Sequence, residues 1–232
     1  MVGELALAVE QACDEARALV LTGRGRGFCS GANLNNTGPH AAKAREGKFD
    51  AGRALDTHYN PFITSLRNLP IPLVTAVNGA AAGVGCSFAL MGDLIIAGES
   101  AYFLQAFRRI GLVPDGGSSY LLPRMIGRAR AMEMMLLGEK LPAKTALEWG
   151  LINRCVPDEE LMTMALGFAQ ELAQGPRSLA MIRHLTWESL DLHFQEQLKL
   201  EREMQRDAGR TGDFAEGVSA FLQKRKAAFK GS

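Results

Sequence analysis

A stretch of small residues in the first half of the chain constrains its fold more than any other feature. Leu73–Val77 is a short apolar run of β character, and it ends at Asn78-Gly79. The residues from Gly79 to Gly85 carry almost no side chain, and an apolar segment follows them. The pattern predicts a strand, a turn and the start of a buried helix near Val84.

This turn exposes backbone rather than side chains, so another molecule can approach it closely. The first amides of a helix have no partner inside the helix and lie at its positive end. Such a place suits a developing negative charge. A second turn of small residues, Phe28–Leu34, has amides that can also face a ligand. Taken alone, each turn is more typical of ordinary helix–strand packing than of a ligand site.

The composition excludes several broad functions. Of the 232 residues 47% are apolar, which is enough for a sizeable core in one large domain or in a domain with an appendage. The formal net charge is +1, so neither nucleic acid nor an anionic membrane surface is expected as a bulk partner. Any anion must therefore be recognised locally.

The cysteines and histidines indicate neither disulfides nor a metal site. Cys13, Cys29, Cys86 and Cys155 lie far apart without a C-x-x-C pair, and we interpret them as reduced thiols. The four histidines share no metal-ligand spacing. No apolar run is long enough to span a membrane, and no signal peptide is evident. We therefore expect a soluble, cytoplasmic protein without a metal.

The order of elements is typical of an α/β protein. An amphipathic helix at Val2–Ala16 precedes a short strand at Ala18–Thr22, and this alternation favours parallel pairing. The polar stretch Asn35–Asp56 is interpreted as a mobile loop. Further strands are predicted at Asp93–Ala97, Ala101–Phe103 and Leu151–Val156. Further helices are predicted at Asp56–Leu69, Ala129–Leu137, Pro142–Trp149 with proline in the first helical position, Glu159–Gln174 capped by Asp158, Ser178–Ala208 and Asp213–Phe229.

Other motifs for familiar chemistry are incomplete. Gly83–Phe88 lacks the third glycine of G-x-G-x-x-G, and no Gly-Lys-Ser/Thr follows Arg24–Gly27, so neither dinucleotide nor P-loop binding is supported. Ser30 and Ser87 lie beside glycines, but neither is in a G-x-S-x-G elbow. A serine nucleophile is therefore a weak hypothesis.

Asp115 has two interpretations. It follows Pro114 and precedes Gly116-Gly117, so it can cap a helix that begins near Ser118. It can also be a carboxylate that a tight turn delivers into an apolar site, where loss of solvation raises its pKa and makes it a useful base. The residues alone leave both open.

Several of these stretches, in unbroken order, resemble the crotonase, or enoyl-CoA hydratase/isomerase, superfamily. The matching stretches are Ala18–Leu34, Pro72–Ala97, Ile110–Gly127, Leu141–Pro157 and Glu216–Gly231. The resemblance implies an α/β fold, a spiral of ββα units over 1–175 followed by a C-terminal helical trimerisation region over 176–232. It also implies a homotrimer or a dimer of trimers, an acyl-CoA thioester substrate, and no cofactor, since CoA is part of the substrate.

The resemblance assigns roles to individual residues. The thioester carbonyl oxygen would accept hydrogen bonds from the backbone amides of Ala32 and Val84, which stabilise an enolate. Arg26 matches a position that often contacts CoA phosphate, and Lys230 is a weaker candidate for the nucleotide end of CoA. The acyl pocket is expected in the variable region Asn35–Phe62, with Tyr59 and also Phe107 in its wall.

Departures from the family pattern indicate the reaction. Hydratases of this family use two glutamates, and here Ser87 and Phe107 stand in their places. Asp115 falls where several isomerases carry their acid, and the chain looks most like the 1,2-epoxyphenylacetyl-CoA isomerase branch. We therefore predict an enoyl-CoA isomerase with Asp115 as acid/base. A hydratase with another acid, or a non-catalytic acyl-CoA-binding protein, stays open.

Two smaller departures concern the beginning of the chain and the first turn. The usual N-terminal strand hairpin is missing before the first helix, so the expected sheet lacks an edge or the start is truncated. Asn33 stands where aspartate is common.

Overall fold

The computed structural model describes residues 1–32, 46–47 and 49–232. The helices are α1 (Val2–Glu15), α2 (Asn60–Arg67), α3 (Val84–Ala89), α4 (Ser118–Leu137), α5 (Ala143–Glu148), α6 (Leu161–Ala173), α7 (Ser178–Glu188), α8 (Phe194–Ala208) and α9 (Gly212–Leu222). The strands are β1 (Leu19–Thr22), β2 (Leu73–Val77), β3 (Ala80–Ala82), β4 (Leu94–Gly98), β5 (Tyr102–Leu104), β6 (Lys140–Pro142) and β7 (Arg154–Val156). A π-helical turn at Leu55–Tyr59 leads into α2, and 3₁₀ turns lie at Ala106–Ile110 and Asp158–Glu160.

A four-stranded sheet in the order β1-β2-β4-β7 forms the centre of the fold, and all three of its pairings are parallel. Every residue of β2 is buried, as expected for a parallel strand covered on both faces. In the register, Leu19 lies opposite Leu73 and Val74 opposite Leu94. The α/β class, the parallel pairing and the helical C-terminal region are confirmed.

A second sheet of three short strands lies beside the first, in the order β3-β5-β6. β3 pairs in parallel with β5, and β5 pairs antiparallel with β6. The sequence interpretation of Ala80–Ala82 as part of a turn was wrong, because these alanines pair with Tyr102–Leu104 and form an isolated bridge from Ala81 to Cys29. Short side chains let the strands and the Cys29 turn approach closely.

Several predicted helix boundaries need correction. The predicted helix Ser178–Ala208 is two helices, α7 and α8, and Pro142 lies at the end of β6 and precedes the first helical residue. Asp158 does not cap α6, because its carboxylate accepts a hydrogen bond from the amide of Ser100 at 3.0 Å. α4 is interrupted at Gly127, whose φ of 77° and ψ of 158° separate its two halves.

The helices after residue 175 are tied to the sheet through a buried ion pair. The Arg183 guanidinium is 5% exposed and lies 2.7 Å from the Asp93 carboxylate, which also accepts from Trp187 Nε1 at 3.1 Å. Arg183 donates further hydrogen bonds to the carbonyls of Leu66, Arg67 and Leu69. The boundary at 175/176 stays a prediction.

Two expectations lie outside the described residues: Asn33, and residues 35–45 and 48 of the predicted loop. Within the described ranges, no helix is long and apolar enough to cross a membrane. The same part of the chain holds no group of three or more His, Cys, Asp or Glu side chains that could bind a metal ion.

Candidate active site

The two glycine-rich turns lie against each other. The amide of Cys29 donates to the carbonyl of Ala80 at 2.9 Å, and the amide of Ala82 donates to the carbonyl of Cys29 at 2.9 Å. Gly31 has a φ of +95°, and a Cβ placed on it would lie 3.0 Å from the carbonyl oxygen of Ala82 and 3.9 Å from Cα of Gly83. Only glycine suits this backbone and this close contact. The residues after both glycines are therefore brought to one place.

Those residues are Ala32 and Val84, the two predicted oxyanion donors. α3 begins at Val84 after Gly83, whose φ of 55° and ψ of −129° favour glycine. Neither amide donates a hydrogen bond to an acceptor among the residues that the structure describes. The Val84 amide lies in the first turn of α3, where unpaired N–H groups give the helix end its positive character.

Asp115 lies in the turn between the Ala106–Ile110 segment and α4, with its carboxylate half-buried. Its Oδ1 is buried and has no hydrogen-bond partner in the described chain. Burial raises the pKa of this carboxyl from 3.8 to about 6. The capping interpretation was wrong: Gly117 is the N-cap of α4, and Asp115 contributes its backbone carbonyl, which accepts from the Ser118 amide at 3.1 Å. The carboxylate therefore does not cap α4, and its Oδ1 is available to accept a proton or a hydrogen bond.

The positions of the two expected glutamates are both buried. Ser87, on α3, donates its hydroxyl to the Asp115 carbonyl at 2.9 Å. Phe107 is 8% exposed, and its ring comes within 3.8 Å of a Cβ placed on Gly83. Phe107 therefore packs beside the turn that carries Val84, and neither position supplies a carboxylate.

Tyr59 ends the π-helical turn before α2 and lies on the same side of the molecule. Its ring centroid is 6.4 Å from that of Phe88 on α3. Burial raises the pKa of the Tyr59 phenol, and the charges of Asp115 and Cys29 raise it further. The phenol is thus within electrostatic range of the Asp115 carboxylate, and its place in the acyl pocket stays a prediction.

The sequence profile of the Enoyl-CoA hydratase/isomerase family matches residues 1–232. The chain belongs to the enoyl-CoA hydratase/isomerase family. Members of this family are enzymes that act on acyl-CoA thioesters, and this chain is one of these enzymes.

Individual relatives of this family member carry different names. The 1,2-epoxyphenylacetyl-CoA isomerase of Escherichia coli K12 is 46% identical over 224 residues, which cover 94% of this chain and 82% of that protein. A Rhodobacter capsulatus protein named "Probable enoyl-CoA hydratase" is 43% identical over 229 residues, which cover 98% of this chain and 86% of that protein. The crystal structure of an enoyl-CoA hydratase subunit from Geobacillus kaustophilus matches with a TM-score of 0.89 and 33% identity, and the match covers 100% of this chain and 88% of that one.

The predicted CoA contacts of this enoyl-CoA hydratase/isomerase family member differ in their support. Arg26 is exposed, and its backbone packs against Gly79, where β2 turns into β3. Lys230 is exposed in the C-terminal tail, and its amide donates to the Asp213 carboxylate at 2.7 Å. The described contacts of Lys230 do not bring it to the glycine turns, and the roles of both Arg26 and Lys230 at CoA stay predictions.

Sequence reasoning missed the hydroxyl contacts around Asp115. Ser118 Oγ lies 2.8 Å from the Asp115 carbonyl oxygen and 3.3 Å from Oε1 of Gln105, and both side chains are fully buried. The signal available was polar side chains, Gln105 and Ser118, inside otherwise apolar stretches. The partner that joins Ser118 to the Asp115 turn is a backbone carbonyl, which no sequence pattern identifies.

Proposed function

We propose that the protein is an acyl-CoA isomerase that works through a thioester enolate. In the reaction, the double bond of a 3-enoyl-CoA moves to the 2-position, or an epoxyphenylacetyl-CoA is isomerised. Asp115 is the single acid/base, and the amides of Ala32 and Val84 are the hydrogen-bond donors to the thioester oxygen.

The observation that carries this proposal is the partial burial of the Asp115 carboxylate and the raised pKa that results from it. The carboxylate is half-buried, and its buried Oδ1 has no donor in the described part of the chain; such an arrangement is costly, and proteins retain it chiefly where the group acts. Its pKa of about 6 lets it be mostly ionised at neutral pH and still be a stronger base than an exposed aspartate.

One carboxylate is sufficient for the double-bond shift. The Asp115 carboxylate removes a proton from the carbon beside the thioester carbonyl, and the C–H electron pair moves into the conjugated system to give an enolate. The oxygen then carries the negative charge, which two fixed amide donors stabilise by several kcal/mol. The protonated Asp115 returns the proton to the far end of the conjugated system, so no atom or electron is gained or lost overall.

Hydration is the competing function, because several relatives carry the name of a hydratase or a probable hydratase. Water addition by the two-glutamate route needs carboxylates at both positions 87 and 107. Ser87 and Phe107 provide a hydroxyl and an apolar ring there. This difference favours isomerisation.

The remaining features of the proposal follow the family resemblance. Arg26 would contact CoA phosphate, with Lys230 as a weaker candidate, while Tyr59 and Phe107 would line the acyl pocket. We also propose a homotrimer or a dimer of trimers.

The test follows the α-proton and the product of a small acyl-CoA panel in D₂O. The wild-type protein is expected to convert a defined 3-enoyl-CoA to the 2-enoyl isomer and to exchange its α-proton. Asp115→Asn is expected to lower both rates by about 10²-fold or more, since acid/base groups contribute roughly 10²–10⁴-fold. Asp14→Asn, which changes an exposed aspartate on α1, is the matched control and should retain wild-type rates.

Two results contradict the proposal. Near-native isomerisation by Asp115→Asn would remove the assigned acid/base. Formation of 3-hydroxyacyl-CoA from 2-enoyl-CoA at a rate above isomerisation would identify a hydratase, while acyl-CoA binding without proton exchange would identify a binding protein.

A further inference from the structure

Helix α3 carries two groups that belong to the candidate site. The Val84 amide opens the helix, and Ser87 lies one turn further along the same helix. The Ser87 hydroxyl donates a hydrogen bond to an acceptor outside its own helix, the Asp115 carbonyl oxygen, at 2.9 Å. A single short helix is thereby joined to the turn that carries the carboxylate.

Packing at this contact is tight. Ser87 has 0% exposure. Gly116, the residue after Asp115, has a φ of +58°, and a Cβ placed on it would lie 2.8 Å from Cβ of Ser87 and 3.4 Å from Cγ2 of Val84. The Asp115 turn therefore rests directly on the Val84–Ser87 face of α3, and the Ser87 hydrogen bond holds it there.

We propose that Ser87 is a positioning residue, which fixes the Asp115 carboxylate relative to the Val84 amide through its hydrogen bond to the Asp115 backbone. This inference rests on the proposed function, since it gives Ser87 a role only if Asp115 and Val84 act on one substrate. Proton transfer to and from an enolate needs the base and the oxyanion donor at a set separation, and small displacements of reacting groups lower rates strongly.

A second hydroxyl on the same carbonyl provides a control. Ser118 Oγ also lies 2.8 Å from the Asp115 carbonyl oxygen, but Ser118 begins α4, on the chain segment that follows Asp115 itself. Its hydrogen bond shapes the turn locally and does not join it to α3. Removal of either hydroxyl thus takes one donor from the same acceptor, and only Ser87→Ala disconnects the two catalytic elements.

The experiment compares Ser87→Ala with Ser118→Ala in the 3-enoyl-CoA assay. Ser87→Ala is expected to lower kcat about 10-fold with KM changed less than 2-fold, and Ser118→Ala to lower kcat less than 3-fold. In Ser87→Ala the acidic limb of the kcat–pH profile is expected to move from about pH 6 toward the ordinary range of an aspartate, because a loosened turn admits water. Tyr59, the described titratable group whose pKa responds to the Asp115 charge, stays protonated at these pH values.

A double-mutant cycle separates positioning from a general loss of structure. In the Asp115→Asn background, Ser87→Ala is expected to cause no further loss of residual exchange, because the group that it positions is gone. Thermal unfolding of each variant accounts for the folded fraction, so the rates refer to folded enzyme.

The possible results are distinct. If Ser87→Ala leaves kcat and the acidic limb of the kcat–pH profile unchanged, or if the two serine variants lose kcat equally, the positioning role is overturned. The proposed function still holds in that case, provided that activity depends on Asp115. Additive losses in the cycle would also overturn the positioning role. Activity independent of Asp115 would overturn both.

Discussion

At the scale of single residues, the chemistry rests on the contrast between a half-buried and a fully buried aspartate. The buried Oδ1 of Asp115 has no donor among the residues that the structure describes, and burial raises the pKa of this carboxyl to about 6. Asp213 is 3% exposed; burial alone would raise its pKa, but the amides of Arg177, Lys230 and Gly231 donate to its carboxylate and the net pKa is lowered. The second aspartate holds the C-terminal tail, and the first is left available for a proton.

This contrast predicts opposite stability changes for two identical substitutions. Because the folded pKa of Asp115 is above its unfolded value of 3.8, its ionisation destabilises the fold as pH rises through about 6. Asp115→Asn is therefore expected to stabilise the protein at pH 7.5 by about 1 kcal/mol, after allowance for its half-exposed carboxylate, and by less at pH 5. Urea unfolding at the two pH values measures the difference.

Asp213→Asn is the matched comparison. Its lowered pKa means that the carboxylate stabilises the fold above about pH 4, and that this stabilisation is lost as pH falls. We expect Asp213→Asn to be less stable than the wild type at pH 7.5. A gain of stability in Asp213→Asn, or a loss in Asp115→Asn at pH 7.5, would contradict the assigned environments.

The sequence predicts a single site residue only where its residue type or its place in a glycine-rich motif already indicates the chemistry. The residues mark Asp115 and Val84 as candidates, a lone acid in a glycine turn and the start of a glycine-rich helix, but the choice of Asp115 as a base over a cap comes from the family resemblance. The roles of Ser87 and Ser118 could not be identified, because their partner is the carbonyl of Asp115 and depends on how the turn folds.

At the scale of elements, the site depends on how closely α3 approaches the Cys29 turn. A Cβ on Gly85 would lie 2.6 Å from Cβ of Cys29 and closer still to the Cys29 carbonyl oxygen. Gly85 thus lets the first turn of α3 lie directly on the segment that leads to Ala32. The position of the two amides is a consequence of this contact.

Gly85→Ala is expected to destabilise the fold by about 1–3 kcal/mol, because the new methyl must displace backbone in a packed core. Gly167, inside α6, has open space at its Cβ position and serves as the control. Gly167→Ala should stabilise the protein by about 0.5–1 kcal/mol through helix propensity. Chemical denaturation gives both values, and a stabilised Gly85→Ala would mean that the two turns are not in contact.

Element prediction from sequence was good where periodicity was strong and poor where it was absent. β2 and α3 were predicted within the expected stretch, since apolar runs and glycines mark them. The small side chains from Gly79 to Gly85 predict a turn over Ala80–Ala82, whereas its strand character comes from pairing with residues distant in sequence. The strand β3 therefore forms because of its tertiary pairing and not because of a local sequence pattern.

At the scale of the whole molecule, a polar cluster around Arg183 and Asp93 connects the helices after residue 175 to the central sheet. Arg183 of α7 reaches Asp93, which precedes β4, and the Asp93 carboxylate also accepts the Leu73 amide at 2.7 Å. The same guanidinium donates to carbonyls at the end of α2. The cluster therefore joins the C-terminal helices, the central sheet and α2.

Arg183→Ala is expected to lower the free energy of unfolding by about 3–5 kcal/mol, because the Asp93 carboxylate loses its positive partner and the carbonyls of Leu66, Arg67 and Leu69 lose their buried donor. Arg124→Ala is the control, since the exposed Arg124 guanidinium lies 3.6 Å from the Tyr120 ring centroid and contributes about 0.5–1 kcal/mol. Guanidinium unfolding curves test both. Equal effects would show that the Arg183 cluster does not couple the C-terminal helices to the sheet.

The proposed oxyanion donors are backbone N–H groups, so point mutations affect them differently from the side chains of the site. A codon change at Ala32 or Val84 alters a side chain and leaves the N–H in place, provided that the residue is not proline. A codon change at Asp115 replaces the acid/base group itself, and one at Ser87 or Phe107 can place a carboxylate where the hydratases of this family have one. The charge-stabilising half of the site is thus protected from most point mutations, while the half that selects the reaction is open to them, and a lineage can exchange one reaction for another on an unchanged enolate-binding backbone.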